Sequence, residues 1–123
     1  MSNMTMEEYM NWLNTTDYNG PYGVTWKAKI KAGKMEEYQA LIYKIWATVD
    51  GKGVREADGL HIDIKDPNVV WVNEKWINVA AAKQIMEEGM NSEEWKKLFA
   101  LLDGAAHMGF YKLKEGAKVC EKK

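Results

Sequence analysis

Val69-Val70-Trp71-Val72-Asn73-Glu74-Lys75-Trp76 is the longest β-branched and aromatic run in the chain. It follows an Asp66-Pro67-Asn68 turn and ends where Asn78 is placed to cap a helix, so it reads as a central strand. A paired, buried strand needs little polar character. Asn73, Glu74 and Lys75 nevertheless crowd its far end, between two tryptophans. That end is either solvated or chemically active.

Working outward, Leu60-His61-Ile62-Asp63-Ile64-Lys65 alternates cleanly and runs into the same turn, which predicts a hairpin with the organising strand. Val54 to Gly59, just before it, reads as a loop. Earlier, Tyr22 to Ile30 alternates with Val24, Trp26, Ala28 and Ile30 on one side and Thr25, Lys27 and Lys29 on the other. Past Gly33 the period changes to 3.6, and Met35, Tyr38, Ile42, Ile45 and Val49 line a helix that Asp50-Gly51-Lys52-Gly53 ends. At the front of the chain, Thr5-Met6-Glu7-Glu8 has the form of a capping box. It opens a short amphipathic helix with Met6, Tyr9, Met10 and Leu13 on one stripe, which predicts docking on the domain or on a partner subunit.

Downstream, Val79, Ala82, Ile85 and Met86 repeat at helical spacing up to Gly89. Asn91-Ser92-Glu93-Glu94 then starts a second piece carrying Trp95, Leu98, Phe99 and Leu102, so this helical region is broken in two. Ala105 to Leu113 resumes strand character before a charged tail. Without its leading helix the order is strand, helix, strand, strand, broken helix, strand. That is the ferredoxin-like βαββαβ arrangement, an α+β fold with a four-stranded antiparallel sheet and both helical layers on one face. Residues 1–20 form the N-terminal helix and linker, 21–115 the domain and 116–123 the tail. The organising strand carries apolar residues on both parities, which predicts a broad apolar surface on the uncovered face and a homodimer that buries it.

Composition narrows the partners. The 123 residues suit one domain, and 17 Lys and Arg stand interleaved against 18 Asp and Glu, so nucleic acid and anionic membranes are poor partners. No apolar run has the form of a signal peptide or the ~20-residue length of a membrane helix, which predicts a soluble, cytoplasmic protein. Cys120 can form no internal disulfide and lies in a Lys/Glu-rich tail that offers it no base. His61 and His107 have no further Cys or His at ligand spacing, so no metal site is predicted.

Glu56-Ala57-Asp58-Gly59-Leu60 entering a strand, Asp66-Pro67, and a strand ending Glu74-Lys75-Trp76 before a helix together resemble the antibiotic biosynthesis monooxygenase domain and its dimeric α+β barrel relatives. The resemblance covers about Val24 to Leu113. It implies the fold, the homodimer and a pocket between helices and sheet. Members of the family include cofactor-free oxygenases of quinols and anthrones, haem-degrading enzymes and proteins without a known reaction. Two features depart from it: the helix after the Glu-x-Trp strand carries no His, and Trp26 stands where haem-degrading relatives use Asn.

A cofactor-free oxygenase must hold an electron-rich aromatic, remove its proton and stabilise the resulting anion. The residues suited to this are Trp71, Trp76 and Tyr111 as walls, His61 or His107 as base, and Asn73 as hydrogen-bond donor. Glu74 reads as a structural carboxylate that pairs with the neighbours of Lys75 or caps the backbone of a nearby helix. The function that follows is oxidation of a small aromatic or quinol-like compound, with no cofactor. The alternatives are a non-catalytic dimeric module that binds a small hydrophobic ligand and, third, haem binding or degradation. A one-residue slip in register reverses the face a strand residue occupies, so the sequence leaves open which face holds each His.

Overall fold

In the computed structural model, which describes residues 5–104, 106–114 and 118–120, the chain runs α1 (Met6–Thr15), β1 (Tyr22–Lys29), α2 (Met35–Asp50), β2 (Arg55–Ile62), β3 (Val69–Trp76), α3 (Val79–Met90), α4 (Glu93–Ala100) and β4 (His107–Lys112). The sheet order is β2-β3-β1-β4 with every neighbouring pair antiparallel, as the ferredoxin-like reading requires. Ala105 and most of the charged tail lie outside the described residues. No described helix is long and apolar enough to cross a membrane.

Local chemistry sets the helix starts. Thr5 Oγ1 accepts from the Glu8 backbone N–H at 3.2 Å while Glu8 Oε1 accepts from the Thr5 N–H, which closes the capping box of α1. Asn78 Oδ1 accepts from the Ala81 N–H at 2.7 Å, and Ser92 Oγ accepts from the Glu94 N–H, which restarts the helix after its break. α1 docks on its own domain. Tyr9 and Leu13 are buried, the Tyr9 and Tyr22 hydroxyls meet at 2.7 Å, and Trp12 packs on Phe110 with ring centroids 4.5 Å apart. Such burial stabilises by about 1.5–3 kcal/mol per large side chain, enough to hold a short helix that would be marginal in isolation.

β2 is where the sequence reading needs correction. The strand begins at Arg55, inside the stretch read as a loop, and a bulge lies between Ala57 and Leu60, with Gly59 at φ 110°. Before the bulge Arg55 and Ala57 pair across from Trp76 and Glu74; after it Leu60 and Ile62 pair across from Val72 and Val70. The inward parity changes from odd to even, so the alternation that signals a strand is interrupted. β2 stops at Ile62 because Asp63 Oδ2 accepts from the backbone N–H groups of Lys65 and Asp66 and turns the chain.

The register gives the sheet two faces. Tyr22, Val24, Trp26 and Ala28 share the helix-covered face with Val70, Val72, Glu74 and Trp76. Thr25, Lys27, Lys29, Asn73 and Lys75 lie on the open face with Val69, Trp71 and Tyr111. The open face is therefore mixed rather than broadly apolar. On β3 its apolar residues stop at Trp71, because the next two outward positions are Asn73 and Lys75.

Candidate functional site

Between the helices and the covered face lies a cavity of about 90 Å³. Trp26, Trp46, Tyr38, Met86 and Met108 form much of its wall, with Met6 and Tyr9 contributed by α1. Its charged lining comes from two residues that the strand register brings onto the same face. Arg55 stands opposite Trp76 on the neighbouring strand, one inward position from Ala57 opposite Glu74.

Arg55 is held from three sides. Its Nε donates to Glu74 Oε2 at 2.6 Å, its Nη1 donates to Asp50 Oδ1 at 3.0 Å, and its guanidinium lies over the Trp46 ring at 4.9 Å from the centroid. Arg55 is 4% exposed and Glu74 9%. A buried pair of this kind adds little net stability, yet removing one partner strands the other charge at a cost of about 3–5 kcal/mol. Two donors remain open: Arg55 Nη2 and Trp76 Nε1 are buried and have no hydrogen-bond partner among the described residues. Buried polar groups are paired in the great majority of cases, so two open donors on one cavity wall need a reason.

The hydroxyls nearby stay protonated. Burial pushes the Tyr9, Tyr22 and Tyr38 phenols above their ordinary 10.0, and the charge of Glu74 adds to the rise in each. At neutral pH they are neutral hydrogen-bonding groups, not bases.

Of the residues the sequence singles out, Trp76 lines this cavity; His61, His107, Asn73, Trp71 and Tyr111 lie on the open face. Four positions form one row across the sheet: His61 opposite Trp71, Trp71 opposite Lys27, and Lys27 opposite His107. Three of the four, His61, Trp71 and Lys27, already have local side-chain contacts. His61 Nε2 lies 3.0 Å from Asp58 Oδ1, Trp71 Nε1 donates to Asp63 Oδ1 at 2.9 Å, and Lys27 Nζ sits over the Trp71 ring. Asn73 Oδ1 accepts from Thr25 Oγ1 at 2.9 Å. Tyr111 lies over Gly23, where a Cβ would come within 2.4 Å of its ring. The two histidines are separated by two intervening strands, so the chain does not bring them together. A second, more open pocket of about 450 Å³ is lined by Glu56, Ala57, Asp58, Asn73, Glu74, Lys75 and Tyr111, so Glu74 borders both spaces.

Sequence reasoning missed Arg55, Tyr9 and Tyr38. The available signal was Glu74 itself, which shares the inward parity of Val70 and Val72; a buried carboxylate there demands a cation on an adjacent strand. Cys120 offers no activated thiolate, because burial followed by the nearby Glu56 charge pushes its thiol up.

No family model matches the sequence, and no curated protein matches it either. Solved structures do. Two named "putative antibiotic biosynthesis monooxygenase" superpose with a TM-score of 0.66: one from Caulobacter crescentus CB15, at 18% identity over 79% of this chain and 92% of that one, and one from Nitrosomonas europaea, at 10% identity over 85% and 100%. This chain has their fold. A conserved protein from Methanosarcina mazei Go1 shares it too, with a TM-score of 0.63 and 19% identity over 76% of this chain and 93% of that chain. Identities this low carry the antibiotic biosynthesis monooxygenase fold and leave the chemistry to be argued from the cavity.

Proposed function

We propose that the interior cavity takes a compact aromatic or quinol-like compound and that the protein oxidises it with dioxygen, without metal or flavin. The observation that carries this reading is the pairing of aromatic and methionine walls with two open donors, Arg55 Nη2 and Trp76 Nε1. Loss of a proton from the bound compound places negative charge on its oxygen, and donors fixed before the reaction stabilise that charge as it develops. Glu74, the carboxylate on the same wall, is the acceptor for the proton. In this reading the electrons come from the compound itself. A second copy pairing through the open face and a cytoplasmic setting belong to the same proposal; the exposed Tyr111 on that face and the single cysteine support them.

One observation favours binding without turnover. Glu74 is already engaged by Arg55 at 2.6 Å, and neither histidine reaches the cavity, so an independent base is missing from its wall among the described residues. An oxygen electrode separates the two readings. Hydroquinone in air should give protein-dependent oxygen uptake that Glu74→Gln abolishes, with folding of the variant checked by circular dichroism. Binding of the same compound with no uptake would establish the non-catalytic module. Haem does not fit the residues present: a cavity of about 90 Å³ without a histidine on its wall has neither the volume nor the axial ligand.

A further inference from the structure

We propose that Arg55 Nη2 and Trp76 Nε1 form one seat for a neutral carbonyl oxygen, and that the compound bearing it has a single ring. This rests on the reading of the cavity as a small-molecule site and names the class of molecule it selects. Arg55 and Trp76 are directly opposite on β2 and β3, so their Cβ atoms are cross-strand neighbours on one wall. Both residues line the cavity, at 4% and 2% exposure, and each presents one donor with no partner among the described residues. A carbonyl oxygen has two lone pairs and no proton of its own, so it can satisfy both donors at once.

Charge decides between a carbonyl and an anion. The single positive charge of Arg55 is already shared by Glu74 and Asp50. An added carboxylate would bring a third negative charge beside one cation, in a place where uncompensated charge is costly. A neutral acceptor meets the donors without that penalty. Volume limits the rest of the molecule, because about 90 Å³ lies below the roughly 150 Å³ of a cavity known to hold benzene. Met6, Met86 and Met108 are unbranched and adaptable, so a single ring that displaces their side chains is the largest group this cavity would admit. A carbonyl seat also suits oxidation: when a proton beside the carbonyl passes to Glu74, charge develops on the seated oxygen while the carboxylate is neutralised, so no further negative charge is added beside Arg55.

Three ligands of similar size test the seat by tryptophan fluorescence titration of the intact protein at neutral pH: acetophenone, ethylbenzene and benzoate. Acetophenone should bind at least about tenfold tighter than either of the others. Trp76→Phe, which keeps a ring and deletes the N–H, should collapse the preference for acetophenone over ethylbenzene. Equal binding of those two by the unaltered protein would overturn the seat, since the donors would then be reading no oxygen. Benzoate binding tightest would overturn it in favour of an anion site. If none of the three binds, the small-molecule reading of the cavity fails with it. The comparison in the unaltered protein decides the matter even if the variant does not fold.

Discussion

The two faces of the sheet hold similar residue types under opposite conditions. On the open face, Trp71, Lys27, His61 and Asp63 are partnered at the surface, where an ion pair is screened and contributes little. On the covered face, Trp76, Arg55 and Glu74 are enclosed, and a single open donor there costs about 1–3 kcal/mol. The same chemistry is therefore inexpensive on one side and consequential on the other. Residue type alone points to the open face for function, whereas energetics points to the covered one.

The contrast breaks most readily at the ion pair. Glu74→Gln should destabilise the protein by about 3–5 kcal/mol in urea unfolding, because the Arg55 charge stays buried. Arg55→Met combined with Glu74→Leu should recover most of that loss. A single-variant cost below about 1 kcal/mol would mean that the pair behaves like a surface bridge.

Alkali tests the covered face next. Tyr9, Tyr22 and Tyr38 are all raised above 10.0 in the folded protein, so their contribution is complete below that value and is lost as pH rises past it. Absorbance at 295 nm should show these three phenols ionising together with the loss of tertiary structure. Ionisation in the folded protein near pH 10 would contradict their burial.

The open face gives smaller effects. The Trp71 indole, followed by backbone N–H groups, holds the Asp63 carboxyl below its ordinary 3.8, so its contribution is present above that value and is lost as pH falls through the lowered one. In Trp71→Phe, carbon-detected NMR titration should show Asp63 returning toward 3.8. Least of all, His61→Ala and His107→Ala should each shift stability by no more than about 0.5 kcal/mol in the same urea assay. A larger loss would reveal a role that the row across the sheet does not explain.

Much of this fold is legible in the sequence because its signals are local. The Thr5 and Asn78 caps, the alternation of Tyr22 to Ile30 and the restart at Ser92 each fix an element without reference to the rest of the chain. β2 escapes because its signal depends on phase: the bulge before Leu60 switches the inward parity, so Arg55 and Ala57 read as loop. That slip also hides the candidate site. With Arg55 assigned to a loop, Glu74 has no visible partner, and the face of His61 is undetermined until the pairing with Trp71 is known. The uncovered face illustrates the same limit, since Val69 and Trp71 suggest an apolar sheet surface that Asn73 and Lys75 then interrupt.

The measurement that bears most directly on the covered face as the functional one is a ¹H–¹⁵N spectrum of the tryptophan indoles, recorded as acetophenone is added. The six tryptophans give separate Nε1–H reporters on the two faces. The Trp76 resonance should move with saturating dose dependence as its open donor gains an acceptor, while Trp71, already bonded to Asp63, stays in place. Movement of Trp71 with Trp76 unchanged would put the binding surface on the open face and contradict the account.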